Sequence, residues 1–209
     1  MAEWDEISIG EDGVPRCGWG ASTPDYRAYH DQEWGFPVDD DYKLFEKLCL
    51  EGFQAGLSWL TILRRRDGFR AAFHDFDYHR VAEMRESDVV RLLDDEGIIR
   101  HRGKIEATLN NAALAIEMEA DFGSVGAFFW SYEPDPKPGD DLVAITPEST
   151  AMAKALKGRG FRFVGPTTVF AFMQAMGIVN DHLAGCATGE EVNAARESFV
   201  RPTARRGSH

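Results

Sequence analysis

No stretch of this 209-residue chain approaches the ~18 uninterrupted apolar residues that a membrane-spanning helix needs. Cysteine is scarce. Cys17, Cys49 and Cys186 are odd in number and far apart, which argues against a disulfide framework and leaves core filler, nucleophile or metal ligand as the roles to weigh. Positive charge is also short, with 23 Lys and Arg against 35 Asp and Glu, a net charge of −12. Taken alone, that balance argues against a polyanionic partner, because phosphate contacts need Lys and Arg. Met1 to Gly13 holds five acids and no basic residue, the wrong charge for a signal or transit peptide. Repeats, low-complexity tracts and alternating strand patterns are absent or nearly so. A soluble cytoplasmic monomer, with no membrane partner, is the expectation.

What is present suits a globular protein with a substantial core: 44% hydrophobic, 28% charged and 11% aromatic residues. The length allows one large domain, with or without a small extra lobe. Residues 1–15 read as a loose acidic arm, and Glu133–Asp141, with three prolines and a glycine, as a loop. Residues 191–209 read as a tail whose last stretch, from Arg201, has no apolar content and is expected to be mobile.

Between these segments the apolar spacing is helical. Asp41–Glu51 carries Leu44, Phe45, Leu48 and Cys49 behind an Asp run suited to N-capping, and Leu57–Arg66 continues the pattern. Ser87 is placed to cap a helix bearing Val89 and Leu92, and a second helix spans Lys104–Glu119. Thr146-Pro147 and Gly165-Pro166 each open a further helix, with proline at the first helical position. The fold class is mostly α.

Two of these helices, within residues 87–119, flank Gly97-Ile-Ile-Arg-His-Arg-Gly103. Glycines at both ends allow positive φ and close approach, and Arg100, Arg102 and Lys104 surround the N-terminus of the second helix, where an anion could sit. The segment therefore reads either as a phosphate-gripping helix-hairpin-helix or as an ordinary helical turn. Arg64–Arg70 and Lys154–Arg162 are two more basic clusters, each consistent with a solvated face. Three such clusters in an acidic protein suggest segregated charge.

Cys17 and His30 lie near the start, and His182-x-x-x-Cys186 near the end. Two cysteines and two histidines can complete a tetrahedral zinc set; buried thiols and hydrogen-bonded core histidines are the alternative. Four protein ligands would make such a zinc structural, a staple between the termini. Cys49, on an apolar helix face, reads as core. Trp19, Tyr26, Tyr29, Trp34 and Trp59 crowd the N-terminal third around Glu51. Rings beside a carboxylate can hold a planar cationic heterocycle; the alternative is a tryptophan core with a charge at a helix end.

Arg16-Cys-Gly-Trp19, Tyr29–Gly35, Leu50–Trp59, Gly97–Ile105 and Gly160–Thr168, running on to Phe172-Met-Gln-Ala and Val179-Asn-Asp-His182, together resemble the bacterial DNA-3-methyladenine glycosylase I family. The likeness spans roughly residues 16–186, five long motifs in order. It implies a helix-hairpin-helix DNA glycosylase fold over residues 16–190, with a structural zinc on Cys17, His30, His182 and Cys186. It also implies excision of 3-methyladenine from alkylated double-stranded DNA, with the free base as product. Glu51, Tyr29 and Trp59 match the family's base-binding residues, and Trp19 and Trp34 fall on positions lining the same pocket. The Gln54–Leu57 turn resembles the segment that fills the gap in the duplex, with Leu57 as wedge. Gly97, Arg100, Arg102, Gly103 and Lys104 would hold the DNA backbone.

Asp121 is the nearest downstream acid that could assist water, but the family motif does not require it. Relatives with lyase activity carry a Schiff-base lysine two residues after the hairpin's last glycine; here that residue is Ile105, which predicts a monofunctional hydrolase. A non-catalytic lesion-binding module and a zinc hydrolase working through His182 and Cys186 are the rival expectations. The net charge then loses its veto: five of the acids precede Gly13, others crowd 39–41, 94–96 and 133–141, and the basic residues gather elsewhere.

Overall fold

The computed structural model describes residues 6–135 and 143–204. Among them run two short strands, β1 (Ile7–Ile9) and β2 (Pro15–Cys17), one 3-10 turn (His74–Phe76) and twelve α-helices. These are α1 (Gly18–Ala21), α2 (Pro24–Gln32), α3 (Asp41–Gln54), α4 (Trp59–Leu63), α5 (Arg66–Ala72), α6 (Tyr78–Ala82), α7 (Glu86–Leu93), α8 (Arg102–Phe122), α9 (Val125–Trp130), α10 (Pro147–Gly158), α11 (Pro166–Ala175) and α12 (Ala187–Ser198).

At the centre lies α3. Asp40 accepts hydrogen bonds from the N–H groups of Tyr42 and Lys43 and so starts the helix. Every residue from Leu44 to Phe53 is buried, including Glu46, Lys47 and Glu51. The next carboxylate, Asp41, accepts from the N–H groups of Val125 and Gly126 at 3.0 and 2.7 Å, capping α9 from a distance. Around this axis α8, α9, α11 and α4 pack, with Phe53, Phe69, Phe73, Phe129 and Phe172 filling the interior. Cys49 is buried there, as expected of core.

The proline-led starts of α10 and α11 form as the sequence predicts. Other expectations change. The span 57–66 is not one helix: Ser58 caps the short α4 through the Thr61 N–H, and a new helix begins at Arg66. The helix before the hairpin starts at Glu86, where the Asp88 carboxylate accepts from the Arg85 N–H. The helix after it starts at Arg102 rather than Lys104, with His101 as the cap.

The expected loose arm is partly ordered. Ile7 pairs with Cys17 and Ile9 with Pro15 in an antiparallel hairpin. Its anchor is Arg16, buried and bonded to both Asp12 and Asp31. Residues 1–5 of that arm lie outside the described residues, as do 136–141 of the predicted loop and 205–209 of the tail.

The boundary expected at 190/191 falls inside α12, which buries Val192. The chain beyond α12 is held by polar and ring contacts rather than an apolar stripe. Arg196 and Arg201 both donate to Glu133, and Phe199 packs on Trp130 at 4.7 Å between centroids. An apolar-spacing argument is blind to such an anchor.

Candidate base pocket and metal centre

The residues that bring the termini together also build the site. Cys17 ends β2, His30 lies on α2, His182 lies in the loop after α11, and Cys186 caps α12. Their ligand atoms all lie within 4.8 Å of one another. Cys17 Sγ is 3.7 Å from His182 Nδ1, while Cys186 Sγ is 3.5 Å from that atom and 3.6 Å from His30 Nε2. Edges of a tetrahedral Cys2His2 zinc set are roughly 3.3–3.8 Å, given bonds near 2.0–2.3 Å. The donor set therefore fits such an ion.

The far nitrogens are committed as well. His30 Nδ1 meets Asp31 at 2.8 Å and His182 Nε2 meets the Trp34 carbonyl at 3.1 Å, the outer partners that orient ligating imidazoles. Hydrogen bonds from Cys17 and the two histidines hold the Cys186 thiol well below its ordinary range, while Cys186 alongside, together with burial, pushes Cys17 up. Burial also pushes the Cys49 thiol up, which favours its uncharged form.

Against this cluster opens a cavity of about 390 Å³, lined by Trp19, Tyr26, Tyr29, Trp34, Glu51 and Trp59 among others. Trp19 meets Trp34 edge-on at 5.0 Å and Tyr26 at 5.6 Å, while Tyr29 leans on Trp59 at 5.5 Å. The aromatic set scattered through the sequence thus forms one wall system, with Glu51 as the buried one of its two carboxylates, Asp181 being the other. The indole N–H of Trp59 is buried without a protein acceptor, as only two other side-chain groups are among the described residues.

Sequence reasoning missed several members. Gln174 donates to Asp181 at 2.7 Å, and both line the cavity with Gln54 and Leu183. Lys47 was also missed. Its Nζ lies 2.9 Å from Glu51 Oε1, 2.5 Å from Tyr29 Oη and 3.3 Å from the centroid of Trp59. The i,i+4 spacing of Lys47 and Glu51 on α3 was a usable signal for this pair. Burial pushes Tyr29 upward, with Glu51 adding to it, and burial pulls Lys47 downward against the pull of Glu51.

The turn after α3 carries Leu57, 42% exposed at its tip. Gly56 supplies the positive φ (81°) that lets the chain reverse there. Behind the turn, Lys104 departs from expectation. Its ammonium is buried and donates to the carbonyls of Phe53 and Ala55 at 2.9 and 2.7 Å, so it secures the end of α3 instead of facing outward.

Neither Gly97 nor Gly103 adopts positive φ. The close approach here is required of Gly68, where a Cβ would lie 2.3 Å from the Gly97 carbonyl oxygen; a Cβ on Gly97 would come only within 3.0 Å of Asp95 Oδ1. Arg100 is exposed on the hairpin, and Arg102 pairs with Glu86 at 2.7 Å. Arg64, Arg66 and Arg70 pair with Asp25, Glu33 and Glu46, which largely cancels one expected basic cluster. Lys154, Lys157 and Arg162 stay exposed. Asp121 is held by Arg159 at 2.8 Å and does not line the cavity.

Known proteins are similar to this chain in sequence and fold. A DNA-3-methyladenine glycosylase 1 of Escherichia coli (strain K12) is 52% identical over 179 residues, 83% of this chain and 96% of that protein. A DNA-3-methyladenine glycosylase of Haemophilus influenzae is 46% identical over 177 residues, 82% and 96% of the two chains. A structure of 3-methyladenine DNA glycosylase I from Staphylococcus aureus, solved to explain 3-methyladenine recognition, superposes with a TM-score of 0.78 at 39% identity, covering 83% of this chain and 96% of that one. The methyladenine glycosylase family model matches residues 19–189, a span that includes every pocket aromatic and all the cluster ligands but Cys17. The chain belongs to the methyladenine glycosylase family.

Proposed function

We propose that this protein is a monofunctional DNA glycosylase, hydrolysing the N-glycosidic bond of 3-methyladenine in alkylated duplex DNA and leaving an abasic site. The observation that carries the proposal is the aromatic cavity with one buried carboxylate, Glu51, in a chain so similar to known 3-methyladenine glycosylases. A base in a duplex must be extruded to reach such a cavity, at a cost of a few kcal/mol. Leu57, exposed beside the pocket-lining Gln54, is the apolar group that would fill the vacated stack. Arg100, Arg102 and the backbone of Gly97 and Gly103 would hold the phosphates, positioning the duplex without reading its sequence.

In the pocket, Tyr29, Trp59, Trp19 and Trp34 bind the flipped ring, and Glu51 accepts hydrogen bonds from its edge. Methylation at N3 makes the base cationic and labile, so the protein supplies binding and orientation while water attacks the sugar. The second reading, a lesion-binding module without catalysis, is disfavoured by the intact carboxylate and ring set. Ile105, fully buried at the hairpin's end, provides no amine for lyase chemistry.

A structural zinc on Cys17, His30, His182 and Cys186 would staple β2 and α2 to the start of α12, and it supplies cross-linking alone. All four donors converge, which disfavours a hydrolytic zinc with an open position. The decisive experiment is chromatography of bases released from methylated duplex DNA: free 3-methyladenine is expected, and its absence would refute the function. Elemental analysis should find one zinc per chain; under about half an equivalent would end the metal assignment.

A further inference from the structure

Tyr29 and Trp59 are walls shared by two cavities. On one side lies the aromatic pocket; on the other lies a second space of about 380 Å³, lined by Lys47, Glu46, Glu33, Arg66 and Arg70. Lys47 is not among the residues lining the aromatic pocket, yet it contacts three that are. Its ammonium offers three donors, and all three are placed: on Glu51 Oε1, on Tyr29 Oη, and against the face of Trp59. The neighbouring charges pair with each other, Arg66 with Glu33 and Arg70 with Glu46, so Glu51 is the carboxylate left to Lys47.

We propose that Lys47 is a built-in counter-ion that sets how strongly the pocket prefers a charged base over a neutral one. The inference rests on the glycosylase reading above and adds a specificity-determining residue to it. Lys47 acts through its neighbours. It occupies one carboxylate oxygen of Glu51 and leaves Oε2 for the base edge. Because the Tyr29 oxygen accepts from Lys47, the phenol proton is turned away from the ammonium. The same ammonium offsets negative charge in the field that a cationic ring meets, both at Glu51 and at the π face of Trp59. Selectivity therefore shifts from charge toward shape and hydrogen bonding, and the cationic base is held less firmly while its bond to the sugar is intact.

The test uses two non-cleavable ligands of nearly equal shape, 3,9-dimethyladeninium, a fixed cation, and neutral 9-methyladenine. Their binding to the full chain is measured by titration calorimetry at one neutral pH. Lys47→Met should raise the cation-to-neutral affinity ratio by roughly tenfold or more, since a unit charge is removed within a few ångströms of the ligand. Lys47→Gln, which keeps hydrogen bonding without charge, should raise it likewise, and Lys47→Arg should keep the wild-type ratio. A general loss of packing would weaken both ligands and would not raise that ratio. If Lys47→Met fails to fold by circular dichroism, Lys47→Gln decides. A ratio unchanged or lowered in the neutral variants overturns the inference. Failure of the wild-type protein to release base from methylated DNA would instead overturn the functional reading, so the two failures are distinguishable.

Discussion

Asp31 binds two partners at once: one oxygen lies 2.8 Å from Nδ1 of His30, and both lie 2.9 Å from Nε of Arg16. Through Arg16 the contact continues to Asp12, 2.8 Å away. The N-terminal hairpin is thereby tied to the orientation of a histidine of the candidate metal set. Asp31→Asn should weaken zinc binding about 10–100-fold, the usual effect of removing an outer partner. Competition with a chromophoric chelator reads this directly; unchanged affinity would show that Asp31 only anchors the hairpin.

The Asp12 end of the chain of contacts has a pH signature. Its hydrogen bond with Arg16 lowers the Asp12 carboxyl from an ordinary 3.8 to about 2. A depressed carboxyl stabilises the fold above its unfolded value, and that contribution fades as pH falls through the folded value. The difference in Tm between wild type and Asp12→Asn should therefore hold steady above pH 4, within the accuracy of a thermal melt, and shrink toward pH 2. A difference independent of pH over that window would refute the pairing in solution.

Glu51 is the test of base recognition. Glutamine keeps the shape of the side chain and one acceptor but loses the charge, and hydrogen bonds to charged groups are worth about 1.5–3 kcal/mol. Excision of 3-methyladenine by Glu51→Gln under single-turnover conditions should fall by roughly one to two orders of magnitude. A wild-type rate would remove the carboxylate from the mechanism.

Lys104 couples the hairpin to the pocket by holding the Phe53 and Ala55 carbonyls. Lys104→Met should lose about 1.5–3 kcal/mol of stability, read in urea melts. It should also slow excision, because the Gln54–Leu57 turn is released, while zinc content stays at the wild-type level. If affinity for undamaged DNA collapses with stability intact, Lys104 faces phosphate after all.

Much of the fold follows from local pattern. Proline at the first position of α10 and α11, the Asp run before α3 and the 3.6-residue apolar spacing are properties of neighbouring residues, and they form as elements in place. Elements held by non-local ion pairs did not show in that pattern. The hairpin of β1 and β2 depends on Arg16 reaching Asp31, and the end of the chain depends on Arg201 reaching Glu133.

The site divides in the same way. The residue types, order and family motifs of the sequence determined that Glu51, five aromatic residues and a Cys2His2 set belong to this protein, since chemistry follows residue type. Only the tertiary structure decided that they share one cavity and one cluster, because side chains far apart in the chain meet through packing. It also decided which charges are free. Lys104 and Lys47 look alike in sequence, two lysines near chemistry. Burial commits one to backbone carbonyls and the other to Glu51, because a buried ammonium must find partners for its protons.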